Sequence, residues 1–142
     1  MENSVHYASN TPQGIAEWNS TLPTGGGILH LGDDLMPFSI SMFHHLRCLD
    51  IIRESLASRM TGDVDTPPSM LDRHCMNYLR QMILCHADLR LEPVRSVTKA
   101  SGNTISDLTH TCQDWTALYT AAEENHRSWL AKSTAEQTHR TV

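Results

Sequence analysis

Apolar side chains gather along this chain in stretches spaced at three and four residues. Phe43, Leu46, Leu49, Ile52 and Leu56 recur at that interval, which predicts one buried helical face running from Ser39 or Ser41 to about Met60. Thr61, Gly62 and Asp63 supply its stop. Thr66-Pro67-Pro68-Ser69 opens a second helix, with Ser69 as N-cap and Asp72 three residues on. It carries Leu71, Cys75, Leu79, Met82 and His86 and fades before Pro93. Residues 92–106 are polar and hold Pro93, Gly102 and Asn103, the composition of a loop. A third helix is expected from Ser106 or Asp107, carrying Leu108, Cys112, Trp115, Leu118, Tyr119 and Ala122 toward Trp129, with a frayed polar tail from Lys132.

The first 37 residues show no such period. Thr11-Pro12 signals a turn, Gln13 to Ser20 a short helix with Ile15 and Trp18, and Ile28 to Leu31 a short extended segment. Between them, Gly25, Gly26 and Gly27 permit positive φ and a tight reversal. No Lys-Ser/Thr pair follows, so the run reads as a turn and not as a phosphate loop. The predicted fold is mainly α: a compact bundle of three principal helices behind a loop-rich N-terminal segment. The length of 142 residues suits one domain, with its core over about 15–130 and a polar tail over about 132–142.

Charge narrows the function. The formal net charge is -5 and the lysines and arginines are scattered singly, which argues against nucleic-acid binding. No run of about 18 apolar residues occurs, so no membrane span is expected. Met1 to Ser4 carry neither a basic region nor an apolar run, so no signal peptide or anchor is visible and a soluble, cytoplasmic protein is favoured.

Nine histidines and four cysteines change the picture further. Cys48-Leu49-Asp50-Ile51-Ile52-Arg53-Glu54 is echoed 27 residues later by Cys75-Met76-Asn77-Tyr78-Leu79-Arg80-Gln81. Helical positions i, i+3 and i+4 share a face, so His44, Arg47 and Cys48 point together, as do Leu71, His74 and Cys75. An antiparallel packing of the two helices would converge these clusters on one pocket. Cys48, Cys75, Cys85 and Cys112 are read first as core or disulfide residues. Cys75 and Cys85 stand about 15 Å apart along one helix, too far to bond; inter-helix pairs, of Cys48 with Cys85 or Cys112 or of Cys75 with Cys112, stay open. Asp88 is expected to pair with Arg80 or to cap the next turn. His30, His126 and His139 read as solvent-side or loop residues, and His86 as structural.

These elements resemble the UstYa-like family of fungal natural-product tailoring enzymes, which carries two His-x-x-His-Cys motifs, then Cys-x-Ala-Asp and a later His-x-Cys. His44-His45-Leu46-Arg47-Cys48 resembles the first motif and Leu71-Asp72-Arg73-His74-Cys75 the second. Cys85-His86-Ala87-Asp88 and His110-Thr111-Cys112 match the later elements. Trp18 and the glycine run also sit where the family places them, so the likeness covers roughly residues 15–130. Two departures stand out. Arg47 replaces the second histidine of the first motif, and Leu71 replaces the first histidine of the second. The family's usual N-terminal membrane anchor is also not seen.

The resemblance implies modification of a small-molecule natural-product intermediate, commonly by oxidative ring closure. Copper or iron on His44, His74 and His110 would suit that chemistry, but two motif histidines are lost. Redox-neutral cyclisation, isomerisation or dehydration needs no metal. In that case His44 or His74 moves a proton, His45 or His110 assists, and Arg47 stabilises a developing oxyanion. A third alternative is a non-catalytic partner in a homo- or heterodimer with another UstYa-like chain, which would supply the missing imidazoles.

Overall fold

A computed structural model describes residues 5–62, 67–91 and 111–140, the side chains of 136–140 excepted. The described elements are, in order, α1 (Pro12–Asn19), β1 (Ile28–Leu31), β2 (Met36–Ser39), α2 (Ser41–Met60), α3 (Met70–His86) and α4 (Trp115–Arg140). The fold is mainly α, as the apolar periodicity predicts.

Local chemistry accounts for most of the boundaries. The Thr11 hydroxyl caps α1 by accepting from the Gly14 N–H at 3.1 Å, and Pro12 occupies the first turn. Ser69 and Asp72 complete the expected capping box: the Ser69 hydroxyl accepts from Asp72 N–H at 3.0 Å, and the Asp72 carboxylate from Ser69 N–H at 2.7 Å. These bonds hold the Asp72 carboxyl below its ordinary pKa. At the other end of α3, Ala87 adopts a left-handed φ of 43° and its N–H closes on the Ile83 carbonyl at 3.0 Å. Asp88 then caps the following turn, accepting from Arg90 N–H at 3.0 Å, while Arg80 bonds Asn77 instead.

Three features depart from the sequence reading. The last helix begins at Trp115, with residues 111–114 non-helical; the expected start at Ser106 or Asp107 lies outside the described residues. Asp114 explains the later start, since its carboxylate accepts from the N–H of Thr116 at 3.0 Å and so caps the first turn. The same helix runs on to Arg140 where a frayed tail was expected, in keeping with strong helix formers such as Ala131, Lys132, Ala135 and Glu136. Strand β2 is an addition to the single extended segment expected over Ile28 to Leu31, and it contains Pro37. Proline is tolerated here because, among the described residues, the sheet has two strands, pairing antiparallel from Ile28↔Ser39 to Leu31↔Met36, so β2 has a free edge.

The hairpin delivers the chain straight into α2, and α4 lies against β1. Asn125 clamps that strand: its amide oxygen accepts from His30 N–H at 2.7 Å and its amide nitrogen donates to the His30 carbonyl at 3.0 Å. The His30 ring stacks on Trp129 at 4.2 Å, and His126 lies 5.7 Å from the same indole. Both histidines are half-buried packing residues and not the solvent-side groups expected; the His139 side chain lies outside the description. Phe43, fully buried, meets Tyr119 edge-on at 5.0 Å.

Helices α2 and α3 pack antiparallel. Ser55, late in α2, donates to Asp72, early in α3, at 3.2 Å, while His45, early in α2, meets Tyr78 at the middle of α3. Among the described residues the buried apolar side chains are Phe43, Cys48, Cys75 and Ala122. The expected apolar stripe of α2 is therefore buried only in part, with Leu49 and Leu56 exposed. Part of the space is taken by an ion pair: Arg53 donates to Asp50 at 2.7 Å and to the Ser9 carbonyl at 2.9 Å, and both side chains are buried. The spacing of Asp50 and Arg53 is that of an exposed surface pair, so only the N-terminal segment folding over them reveals their role.

Candidate active site

The repeated helices bring their histidines face to face. His44, in the first turns of α2, lies 5.9 Å ring to ring from His74 on α3. Tyr78, one helical turn after His74, stacks on His44 at 4.1 Å and lies 5.3 Å from His45 and 6.2 Å from His74. Four aromatic rings thus form a continuous strip across the helix pair, with Tyr78 at its centre. The sequence reading missed Tyr78. Its signal was available: it stands four residues after His74, on the same helical face.

Arg47 is exposed and, among the described residues, pairs with no carboxylate. Together with His44, Phe43, Gly26, Ile28 and Ser39 it lines a cavity of about 360 Å³. Of the three residues expected to share one pocket, Arg47 and His44 line this cavity together, and His74, whose ring faces that of His44, does not. The reason lies in helix geometry: Arg47, three residues from His44, leans toward the hairpin and glycine turn, whereas α3 packs along the adjacent side of α2.

His45 sits on the other side of Tyr78, half-buried, with Nε2 buried and without a hydrogen-bond partner among the described residues. Burial pushes its pKa below the ordinary imidazole value, and the nearby His86 and His44 rings push it the same way. Behind the histidines, Cys48 and Cys75 meet within the helix pair, both nearly inaccessible. Burial, then the contact with Cys75, pushes the Cys48 thiol up to about 12. Cysteine pairing thus differs from the open alternatives: Cys48 meets Cys75, while Cys85 and Cys112 are exposed, and all four are free thiols. Cys75 and Cys85 share the unbroken α3, as the spacing argument required.

For copper or iron, the described residues offer His44 and His74, and no group of three His, Cys, Asp or Glu side chains that could hold a metal gathers among them. Two imidazoles fall short of a closed first shell, so this donor set does not by itself fit a resident metal. His110, the third ligand expected in the oxidative reading, lies outside the described residues.

A mainly helical scaffold that faces two motif histidines across a repeated helix pair is the arrangement that the motif resemblance implies. The chain belongs to the UstYa family: the model described as "Mycotoxin biosynthesis protein UstYa" matches residues 5–125. The protein named oxidase ustYa from Aspergillus flavus is 38% identical over 86 residues, covering 61% of this chain and 40% of its own length. UstYa family oxidase phomYb from Diaporthe leptostromiformis is 29% identical over 138 residues, 87% of this chain and 55% of its own length. UstYa family oxidase VicYc from Bipolaris victoriae is 27% identical over 85 residues, 59% of this chain and 86% of its own length. The chain spans about half the length of the first two relatives. No solved structure matches it. Among the described residues, no helix is long and apolar enough to cross a membrane.

Proposed function

We propose that this protein is a tailoring enzyme of fungal secondary metabolism that closes a ring in, or otherwise rearranges, a natural-product intermediate by redox-neutral proton transfer. One of His44 and His74 removes a proton from the substrate, the new bond forms, and the other imidazole returns a proton to the product. No electrons leave the substrate. Arg47 stabilises the negative charge that develops between the two transfers, and Tyr78 holds the His44 ring in place. The observation that supports this reading is the 5.9 Å approach of His44 to His74, with an arginine standing where the motif would place a further imidazole.

A second reading is oxidation, favoured by the names of the relatives, which are oxidases. It requires at least one more metal ligand, from His110 or from a second UstYa-like chain in a dimer. The experiment that separates the two uses the intermediate that accumulates when the gene is deleted in its host. Purified protein is assayed on it with and without air, and metal content is measured on the same sample. Redox-neutral chemistry gives equal turnover without oxygen. It also gives a loss of about 100-fold or more in His74→Ala and about tenfold in Arg47→Lys, because a point charge does not reproduce the planar guanidinium. Turnover that consumes oxygen, or parent rates in both variants, refutes it.

A further inference from the structure

Helices α2 and α3 close on each other with little large apolar material fully buried between them. Among the described residues, the buried apolar side chains are Phe43, Cys48, Cys75 and Ala122. Phe43 packs on Tyr119 of α4, and Ala122 belongs to α4 itself. That leaves Cys48 on α2 and Cys75 on α3 as the buried pair between the two helices. Each is 1% exposed, and their thiols are in hydrogen-bond contact. They hold the same place in the internal echo, 27 residues apart. The proton transfer described above uses neither.

We propose that Cys48 and Cys75 are a disulfide site: oxidised as the chain folds, they bond across the helix pair and fix His44 opposite His74. Sulfurs already in contact across two helices need little backbone movement to bond. Two small thiols bury little apolar area, and Leu49 and Leu56 beside them are exposed, so the seam between the helices supplies little hydrophobic stabilisation. A covalent link makes up for that by restricting the unfolded chain. The alternative partners are elsewhere: Cys85 and Cys112 are both exposed, away from the buried pair. The position also matters to the site. Cys48 stands one helical turn after His44 and Cys75 directly follows His74, so the bond ties the helices at the level of both imidazoles.

The oxidant is a low-molecular-weight disulfide of the glutathione class. The thiolate of one cysteine attacks it and releases one small thiol. The second cysteine, also as thiolate, attacks the mixed disulfide and releases the other. Two thiols of the chain are oxidised, one small disulfide is reduced to two thiols, and the two cysteine protons end on those thiols. The exchange precedes closure of the helix pair, because both sulfurs are nearly inaccessible once it has closed.

The test refolds the fully reduced chain from urea in a buffer of reduced and oxidised glutathione. Remaining thiols are then blocked with iodoacetamide and the peptides are mapped without reduction. A parallel sample is oxidised while still in urea. Most refolded chains should carry the Cys48–Cys75 link, whereas the urea sample should favour Cys75–Cys85, the pair that closes the shortest loop. Reducing the refolded protein should lower its urea midpoint by about 1.5–2 M, from the length of the loop that the bond closes. The same treatment should leave the midpoint of Cys48→Ala in place. Refolded parent chains in which Cys48 and Cys75 are free, capped by glutathione, or joined to Cys85 or Cys112 overturn the proposal. A parent midpoint that reduction does not move overturns it equally. Both readouts use the parent chain, so they hold whether or not the variant folds, and neither depends on turnover.

Discussion

The glycine turn beside the candidate site offers a graded test of how α2 is held. Gly26 and Gly27 both adopt left-handed backbone, at φ of 68° and 76°. A Cβ added at Gly26 would meet nothing within 4 Å, whereas one added at Gly27 would lie 2.5 Å from Cβ, Cγ and Cδ2 of Phe43. Phe43 cannot yield, being fully buried and set edge-on against Tyr119 at 5.0 Å. Gly26→Ala therefore carries only the left-handed penalty of about 1–2 kcal/mol, partly offset by about 0.4–1 kcal/mol from a stiffer unfolded chain. Its net cost is about 1 kcal/mol. Gly27→Ala adds overpacking of about 1–3 kcal/mol, for a total near 3 kcal/mol. With a urea slope of about 2 kcal/mol/M, the two variants should differ in midpoint by about 1 M. Equal midpoints would refute the claim that close packing of the turn on Phe43 seats the start of α2, and with it the placement of His44.

Two further predictions concern groups behind and beside the histidines. Thiolate is the form that reacts, so the buried Cys48, with its pKa raised to about 12, should resist alkylation in the native protein while the exposed Cys85 and Cys112 react. Peptide mass spectrometry after brief iodoacetamide treatment reads this directly, and Cys48 labelling as fast as Cys85 would contradict the packing. For His45, whose folded pKa is depressed, the unfolded chain binds a proton that the folded chain does not as pH falls from about 6.5. Stability is thus lost on acidification through that value toward the lower folded one. Urea midpoints at pH 7.5 and 5.5 should show a smaller drop for His45→Phe than for the parent, and equal drops would mean that His45 is not desolvated.

The departures from the sequence reading share a cause. Ser69 and Asp72 were legible because a capping box is completed within four residues. Strand β2 was not legible, because the tolerance of a strand for Pro37 depends on which strands pair beside it, a fact about neighbours. Asp50 and Arg53 stand three residues apart on one helix, but their burial is completed by the Ser9 carbonyl, 44 residues from Arg53 along the chain. Tyr78 was read only as an apolar member of the internal echo until α2 laid His44 and His45 against it. His30 looked like a solvent-side or loop residue because the indole it stacks on lies on α4, far along the chain.

The order of residues alone determined the principal helices, the positive-φ glycine turn, the motifs that betray the family and the gaps in those motifs. Each of these depends on interactions within a few residues along the backbone, or on identity at a position. Tertiary structure alone decided which helical faces meet: that His44 opposes His74, that Arg47 and His44 line a cavity His74 does not reach, that Cys48 finds Cys75, and that a cleft remains beside His45. A residue spacing sets only an angle around a helix axis, and the rotation and offset of one helix against another are set by how all their side chains fill the space between them.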